Sequence, residues 1–334
     1  MKKITLKQIS KLADVSPMTV SNVIRGKDTK VSAITKAKIE EIIRKYNYAP
    51  NQNAANLRSG RSNLIGVLFY NKQNQVDFID PFISAVLTGI EQAANDAGYF
   101  TMLHTVSDVK SIEALQRNWV FAGFVVISLH CQDFVKIDKA IVTPVSYIDT
   151  YWDEKNKLSE KPRNFIGTDE EKVSRIIADY LKMMGHEKIL FYSFDFDENE
   201  PSVIQKRYQA FLKYFPDAEA VKVPTPNYQA VLESVVDYLE LQPFTAIYAT
   251  ADLLAARLNQ IFKDISIIGV DDADFDSFIA PKLTTVRTDQ LEKGRLAVKY
   301  LLESIERGNS AKFYSDSELI ERDSVRNIKK NEQK

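Results

Sequence analysis

Ser16, Pro17, Met18, Thr19, Ser21, Asn22 and Arg25 crowd into the stretch VSPMTVSNVIRG. Hydroxyl, amide and guanidinium groups at this density suit hydrogen bonding to phosphate oxygens and to base edges. An asparagine amide pairs bidentately with adenine N6 and N7, whereas hydroxyls on phosphate position a protein without reading sequence. Val20, Val23 and Ile24 recur between them at helical spacing and form one inward face. Pro17, Met18, Thr19, Ser21, Asn22 and Arg25 are left outward, with Met18 and Asn22 one turn apart and aimed at base edges.

The elements that position them are short. Thr5 with Gln8 has the pattern of a capping box, and Leu6, Ile9, Leu12 and Ala13 give a first helix its apolar face. Asp14 breaks that helix. Ser16 caps a second one, and Pro17 stands at its first position, where a missing N–H costs nothing. Gly26 ends it. Two helices joined by a tight turn are a helix-turn-helix, whose second helix enters the major groove with its N-terminal turn. Ser32 caps a third helix, expected to pack through Ile34, Ala37, Ile39, Ile42, Ile43 and Tyr46. After Tyr48-Ala49-Pro50, Asn51 can cap a short helix from Gln52 to Leu57, which Ser59-Gly60 stops.

Charge supports this reading. The chain of 334 residues has a net charge of −1, yet residues 1–62 hold thirteen Lys/Arg against four Asp/Glu. The remaining thirty-one Lys/Arg face forty-one Asp/Glu. A basic head on an acidic body points to a polyanion as partner of the head.

From Leu64 onward β-type runs alternate with helical ones, which means parallel sheet covered on both faces. Two such sheets fit in the remaining length, and one large sheet is the competing arrangement. Ligands of parallel α/β sheets bind at the carboxyl ends of strands. Asp149, Tyr151 and Trp152, in IDTYWDE, lie just past one such end and offer a hydroxyl acceptor and stacking rings.

Several function classes drop out. The chain has no G-x-G-x-x-G, no P-loop and no nucleophile elbow. Asp271 and Asp272 are adjacent, and in extended backbone they point to opposite faces, which is poor geometry for acid–base work. An enzyme acting on a sugar is the remote alternative. His104, His130, His186 and Cys131 lack metal-ligand spacing, so neither metal nor cofactor is expected. The single cysteine cannot form an internal disulfide, and no apolar run approaches a membrane span of about 18 residues. A cytoplasmic protein without membrane contact is the expectation.

The segment TLKQISKLADVSPMTVSNVIRGKD followed by YAPNQNAANLRSGRSNLIGVL resembles the head and hinge of the lactose-repressor (LacI/GalR) family of bacterial transcription regulators. DPFISAVLTGIEQAANDAGY, MMGHEKILFYS and DISIIGVDDADFDSFIAPKLTTVRTDQLEKGRLAVKYLL are similar to segments of that family's core. The resemblance implies a helix-turn-helix head (residues 1–49), a hinge helix and linker (50–62) and a periplasmic-binding-protein-like core of two doubly wound parallel-sheet lobes (63–330). The chain is expected to cross between lobes near 150–164 and 275–290. It also implies a homodimer that binds operator DNA, repressing carbohydrate-utilisation genes under control of a sugar or sugar phosphate. A corepressor or a partner protein as the controlling signal stays open. No leucine heptad follows Ile328, which favours a dimer over a tetramer.

Residue by residue, the resemblance places Thr5, Ser16, Pro17, Met18, Thr19, Ser21, Asn22 and Arg25 on DNA, joined by Asn51, Ala54 and Leu57 of the hinge. The leucine matching Leu57 wedges between base steps of the minor groove in that family. This chain has Asn22 where the family usually has arginine, and Arg25 where it usually has asparagine, so its base preference should differ. For the effector, Arg207 matches an arginine that grips ligand oxygens. Asp252 matches a polar contact, and Asp271 an acid that accepts hydrogen bonds. Phe82 and Ile83 match a stacking pair, in which isoleucine argues against a planar nucleobase. Asp149 and Trp152 complete the expected set. Leu57→Ala should weaken operator binding and leave effector binding unchanged. Operator titrations of the variant and the parent check this, and equal affinities would remove the hinge assignment.

Overall fold

The computed structural model describes residues 4–49, 62–70, 78, 80–153, 155, 158, 160–224, 236 and 243–329. The chain divides into two units, Met1–Ser62 and Asn63–Lys334. The hinge segment Gln52–Leu57, and all but Val236 of a helix expected over Tyr228–Leu239, lie outside the described residues.

In the first unit α1 (Leu6–Ala13), α2 (Pro17–Ile24) and α3 (Ala33–Lys45) start where local chemistry dictates. Thr5 and Gln8 close a reciprocal capping box. Ser16 accepts from the Thr19 N–H at 3.1 Å and Ser32 from that of Thr35 at 3.2 Å. Asp14 ends α1 in the left-handed conformation (φ 62°), and its N–H returns to carbonyls of the last turn. Ile9, Ala13, Val20, Val23 and Ile39 are buried together. The packing faces are narrower than the periodicity suggested. Ile34 is 85% exposed and Leu12 48%, while Ala37 and Tyr46 also face solvent. In α3 only Ile39, Ile42 and Ile43 join this core, because its first turn projects beyond it.

The second unit holds two six-stranded sheets. The first takes β1 (Leu64–Tyr70), β2 (Phe100–Val106), β3 (Gly123–Ile127), β4 (Val145–Ile148), β5 (Arg163–Thr168) and β11 (Ala311–Ser315). Its order is β11-β5-β4-β3-β1-β2, parallel throughout. The second takes β6 (Ile189–Phe194), β7 (Glu219–Val223), β8 (Ala246–Ala249), β9 (Ser266–Asp271), β10 (Thr284–Thr288) and β12 (Ser317–Ile320). Its order is β12-β10-β9-β8-β6-β7, with only β12 antiparallel. The two-sheet arrangement therefore prevails over a single large sheet.

Helices cover both faces. In lobe 1 these are α4 (Pro81–Asp96), α5 (Val109–Asn118) and α6 (Cys131–Ala140), and in lobe 2 α7 (Glu170–Met183), α8 (Val203–Leu212) and α9 (Asp252–Ile261). Helix α10 (Gln290–Arg307) returns to lobe 1, where Ala297 and Leu301 pack with Val86 and Ile90 of α4 over Ile65 and Val67.

One lobe crossing differs from expectation. The first falls after Thr168, not near 150–164, because β5 pairs with β4 and β11 and stays in lobe 1. The second lies between Thr288 and Gln290. A third, unforeseen, lies at Asp316, between β11 of one sheet and β12 of the other.

Helices α4 and α10 touch backbone to backbone. A Cβ on Gly89 would come within 2.0 Å of the Leu291 carbonyl oxygen, and one on Gly294 within 2.2 Å of that of Val86. Backbone cannot swing aside as a side chain does. Gly89→Ala should therefore lower stability by about 1–3 kcal/mol, the usual cost of overpacking, although alanine favours helix. Urea unfolding checks this, and an unchanged or raised midpoint would contradict it.

Candidate functional site

Two candidate sites stand on these units. In the head, α2 presents Pro17, Met18 and Arg25 to solvent, with Met18 69% exposed. Thr19, Ser21 and Asn22 are half-buried at the edge of the same face. The Ser16 and Thr19 hydroxyls bond each other at 2.9 Å, so part of their capacity is already spent on the cap. Thr5 is likewise engaged in its capping box. Asn51, Ala54 and Leu57 lie outside the described residues.

In the second unit a cavity of about 210 Å³ lies between the lobes, at the carboxyl ends of their strands. Lobe 1 supplies the start of α4 (Asp80, Pro81, Phe82), Ser128 after β3 and Asp149 after β4. Lobe 2 supplies Phe194 at the end of β6, Arg207 on α8, residues 250–253 after β8, and Asp271 at the end of β9. Gln290, first residue of α10, closes the ring. Ser128 (φ 53°), Asp149 (φ 47°), Asp271 (φ 122°) and Asp272 (φ 59°) adopt left-handed backbone that non-glycine residues avoid. Strain of this kind persists where the surroundings hold a side chain on target.

The polar groups come in paired sets. Arg207 donates through Nε to Glu170 Oε2 (2.5 Å) and through a terminal nitrogen to the Thr250 carbonyl (2.7 Å). Lys293, on α10, donates to both Asp149 oxygens at 2.9 and 3.0 Å, with its ammonium 5.9 Å from the Phe82 ring centroid. Burial raises the Glu170 pKa although Arg207 opposes it, and Glu170 Oε1 is buried without a hydrogen-bond partner. Asp252 accepts from the Thr285 hydroxyl (2.7 Å) and the Ala273 N–H (3.1 Å). Its carboxyl also meets that of buried Asp276, and burial followed by that neighbour holds its pKa well above the usual range. Asp271 accepts from Gln290 (2.9 Å) and Thr288 (3.2 Å), and burial with the Asp252 charge pushes its pKa up to about 7.

Asp271 and Asp272 do diverge, but through left-handed turns and not through extended backbone. Asp271 lines the cavity, while Asp272 pairs with Arg287 at 2.8 Å and with Arg322. Of the expected effector contacts, Phe82, Asp149, Arg207, Asp252 and Asp271 line the cavity. Ile83 packs into the lobe 1 core. Trp152 stacks on Phe165 at 4.1 Å and on Phe134 at 5.2 Å, which turns it towards a different, second cavity. Asp80 and Gln290 also line the cavity, and Glu170 and Lys293 hold Arg207 and Asp149 in it, though no local sequence signal marks any of the four. Asp80, Glu170 and Gln290 stand at helix starts, where a carboxylate or amide reads as an ordinary cap.

The first unit matches the model for bacterial regulatory proteins of the lacI family over residues 5–51. Residues 178–325 match a periplasmic binding protein-like domain. The chain is 27% identical to the HTH-type transcriptional repressor PurR of Photobacterium profundum, covering 97% of this chain and 99% of that one. It is 27% identical to the ribose operon repressor of Haemophilus influenzae, covering 91% and 93%. Among solved structures, a lac repressor dimer bound to operator and the anti-inducer ONPF shares the fold, with a TM-score of 0.77, 24% identity, and coverage of 97% and 100%. A complex of the regulator CelR with cellobiose has a TM-score of 0.66 at 20% identity, covering 96% and 99%. Among the described residues no helix is long and apolar enough to cross a membrane.

The buried carboxyls carry a pH signature. Asp271 titrates near 3.8 when exposed and near 7 in the fold, so the folded chain binds more protons across that window. The stability this proton provides is complete at low pH and is lost as pH rises towards 7, at up to about 1.4 kcal/mol per pH unit. Asp271→Asn should flatten that slope. Urea midpoints of both proteins across the window check it, and parallel curves would contradict the assignment.

Proposed function

We propose that the chain, whose first unit matches the lacI family of bacterial regulatory proteins and whose relatives include transcription repressors, is a DNA-binding regulator that represses carbohydrate-utilisation genes as a homodimer under control of a small neutral sugar. The observation that carries this is the convergence of Asp149, Asp252, Asp271 and Arg207 on one interlobe cavity at the strand ends. Carboxylates accept hydrogen bonds from sugar hydroxyls, and the Phe82 and Phe194 rings offer faces for a sugar's apolar side. The volume, about 210 Å³, exceeds the roughly 150 Å³ that holds a benzene ring, enough for one substituted six-membered ring.

Charge selects within the sugar class. Arg207, the one cation among the described residues that line the cavity, is already paired with Glu170, and Lys293 reaches Asp149 from behind the wall. A sugar phosphate would meet a carboxylate-rich wall with its cations committed, which favours an uncharged sugar. The ribose operon repressors among the relatives support the same class.

The effector acts by stabilising one lobe arrangement over another, and can shift DNA affinity only by its difference in affinity for the two. Lys293 couples such a change to the cavity, since α10 starts at the second crossing and its lysine holds Asp149. A second copy of the chain would cover β2, an edge strand on which Phe100 is 65% exposed and Leu103 43%. Two heads on one dimer read a near-palindromic operator, Asn22 setting one base and Leu57 wedging the minor groove.

Selection of bound random duplexes by the parent and by Asn22→Ala, with and without a panel of sugars, sugar phosphates and nucleobases, tests the whole reading. The parent should select a near-palindrome and respond to a neutral sugar. Asn22→Ala should lose about 1–3 kcal/mol of discrimination at one half-site position. Uniform weakening across all bases would place Asn22 on phosphate. A response to a nucleobase or sugar phosphate alone would overturn the effector class.

A further inference from the structure

Arg207 and Glu170 are both buried and face each other from α8 and α7 of lobe 2. The guanidinium donates through Nε to Glu170 Oε2 at 2.5 Å and through Nη1 to the Thr250 carbonyl at 2.7 Å. Its remaining N–H groups have no protein acceptor among the described residues, and Arg207 lines the main cavity. Ser174, one turn along α7 from Glu170, donates to the Arg207 carbonyl at 2.8 Å, so backbone and side chain of Arg207 are tied to the same helix. Capping does not account for Glu170. Asp169 caps α7 by accepting from the Lys172 N–H at 3.0 Å, which leaves Glu170, the first helical residue, to turn to Arg207. There the positive end of the helix dipole favours an ionised carboxylate.

Aiming an arginine does not require a carboxylate. The Thr250 carbonyl holds the guanidinium without charge, and a glutamine at position 170 could accept from Nε in the same way. The carboxylate adds a charge and leaves Glu170 Oε1 buried with no hydrogen-bond partner, a cost that positioning alone does not demand. What the charge does is cancel that of Arg207 at the cavity wall. A hydroxyl or ring oxygen of a neutral ligand then accepts from the remaining N–H groups. An anion that came to the same groups would lose its water and find no uncompensated cation in return. We propose that Glu170 is a specificity-determining residue: it neutralises Arg207, so that the main cavity takes an uncharged ligand and refuses an anionic one. This rests on the neutral-sugar reading above and names the side chain that enforces it. Glu170 does not itself line the cavity and acts through Arg207.

Inorganic phosphate and ribose are the probes, titrated separately against sodium chloride at equal ionic strength, with the thermal midpoint of the full chain as the readout. The parent should show no saturable response to phosphate. Glu170→Gln keeps the acceptor and removes the charge. It should melt lower without ligand and gain a saturable phosphate response, about tenfold or more tighter than any in the parent. Glu170→Asp keeps the charge and should gain none, which separates charge from a merely structural role. Val203, half-buried on the first turn of α8, lines the same cavity. Val203→Lys adds an ammonium there while Glu170 and Arg207 stay paired, and should also gain the phosphate response. The parent's response to ribose tests the sugar reading separately, since the phosphate comparison turns only on charge at Arg207. The proposal is overturned by a phosphate response in the parent, by a like gain in Glu170→Asp, or by no gain in Glu170→Gln or, if that variant does not fold, in Val203→Lys.

Discussion

Taking charge out of water is costly, and the core of this protein does so at the place where its lobes join. Lys293 is 1% exposed and holds both oxygens of Asp149, while Arg207 and Glu170, also buried, hold each other. Breaking such a pair by removing one partner costs about 3–5 kcal/mol, because the other charge is left without compensation. The pairs therefore act as constraints on geometry. Asp149 keeps its left-handed backbone because Lys293 reaches it from a helix that starts at a lobe crossing. Glu170 begins the first helix after another crossing, and its partner Arg207 also donates to the Thr250 carbonyl at the cavity wall.

The same arrangement sorts ligand chemistry. With its cations engaged, the main cavity presents carboxyls, and Asp252, Asp271 and Asp276 retain protons to higher pH than exposed carboxyls do. Hydroxyl groups suit that wall and phosphates do not.

The head follows a simpler logic. Its core is small, built on Ile9, Ala13, Val20, Val23 and Ile39, and its helices are short, so side-chain caps contribute a large share of what defines them. That economy leaves the outer face of α2 free of structural duties except at Ser16 and Thr19. Side chains there, Asn22 and Arg25 among them, can change without unfolding the head.

The sequence by itself determined what depends on neighbours within about four residues: the capping box at Thr5, the Ser16-Pro17 start of α2, the Ser32 cap, and the alternation of strand and helix. Helix α6 escaped that reading because His130, at its N-cap position, makes no capping bond to announce it. The expected packing of Ile34 and the role given to Trp152 failed because spacing shows which residues share a face and not what lies opposite. The tertiary structure alone decided the rest. β5 stays in lobe 1 because it pairs with β11, and Asp149 meets Lys293 across 144 positions of chain. Contacts that distant leave no mark in local spacing, so which charges share a cavity emerges only when the sheets are assembled.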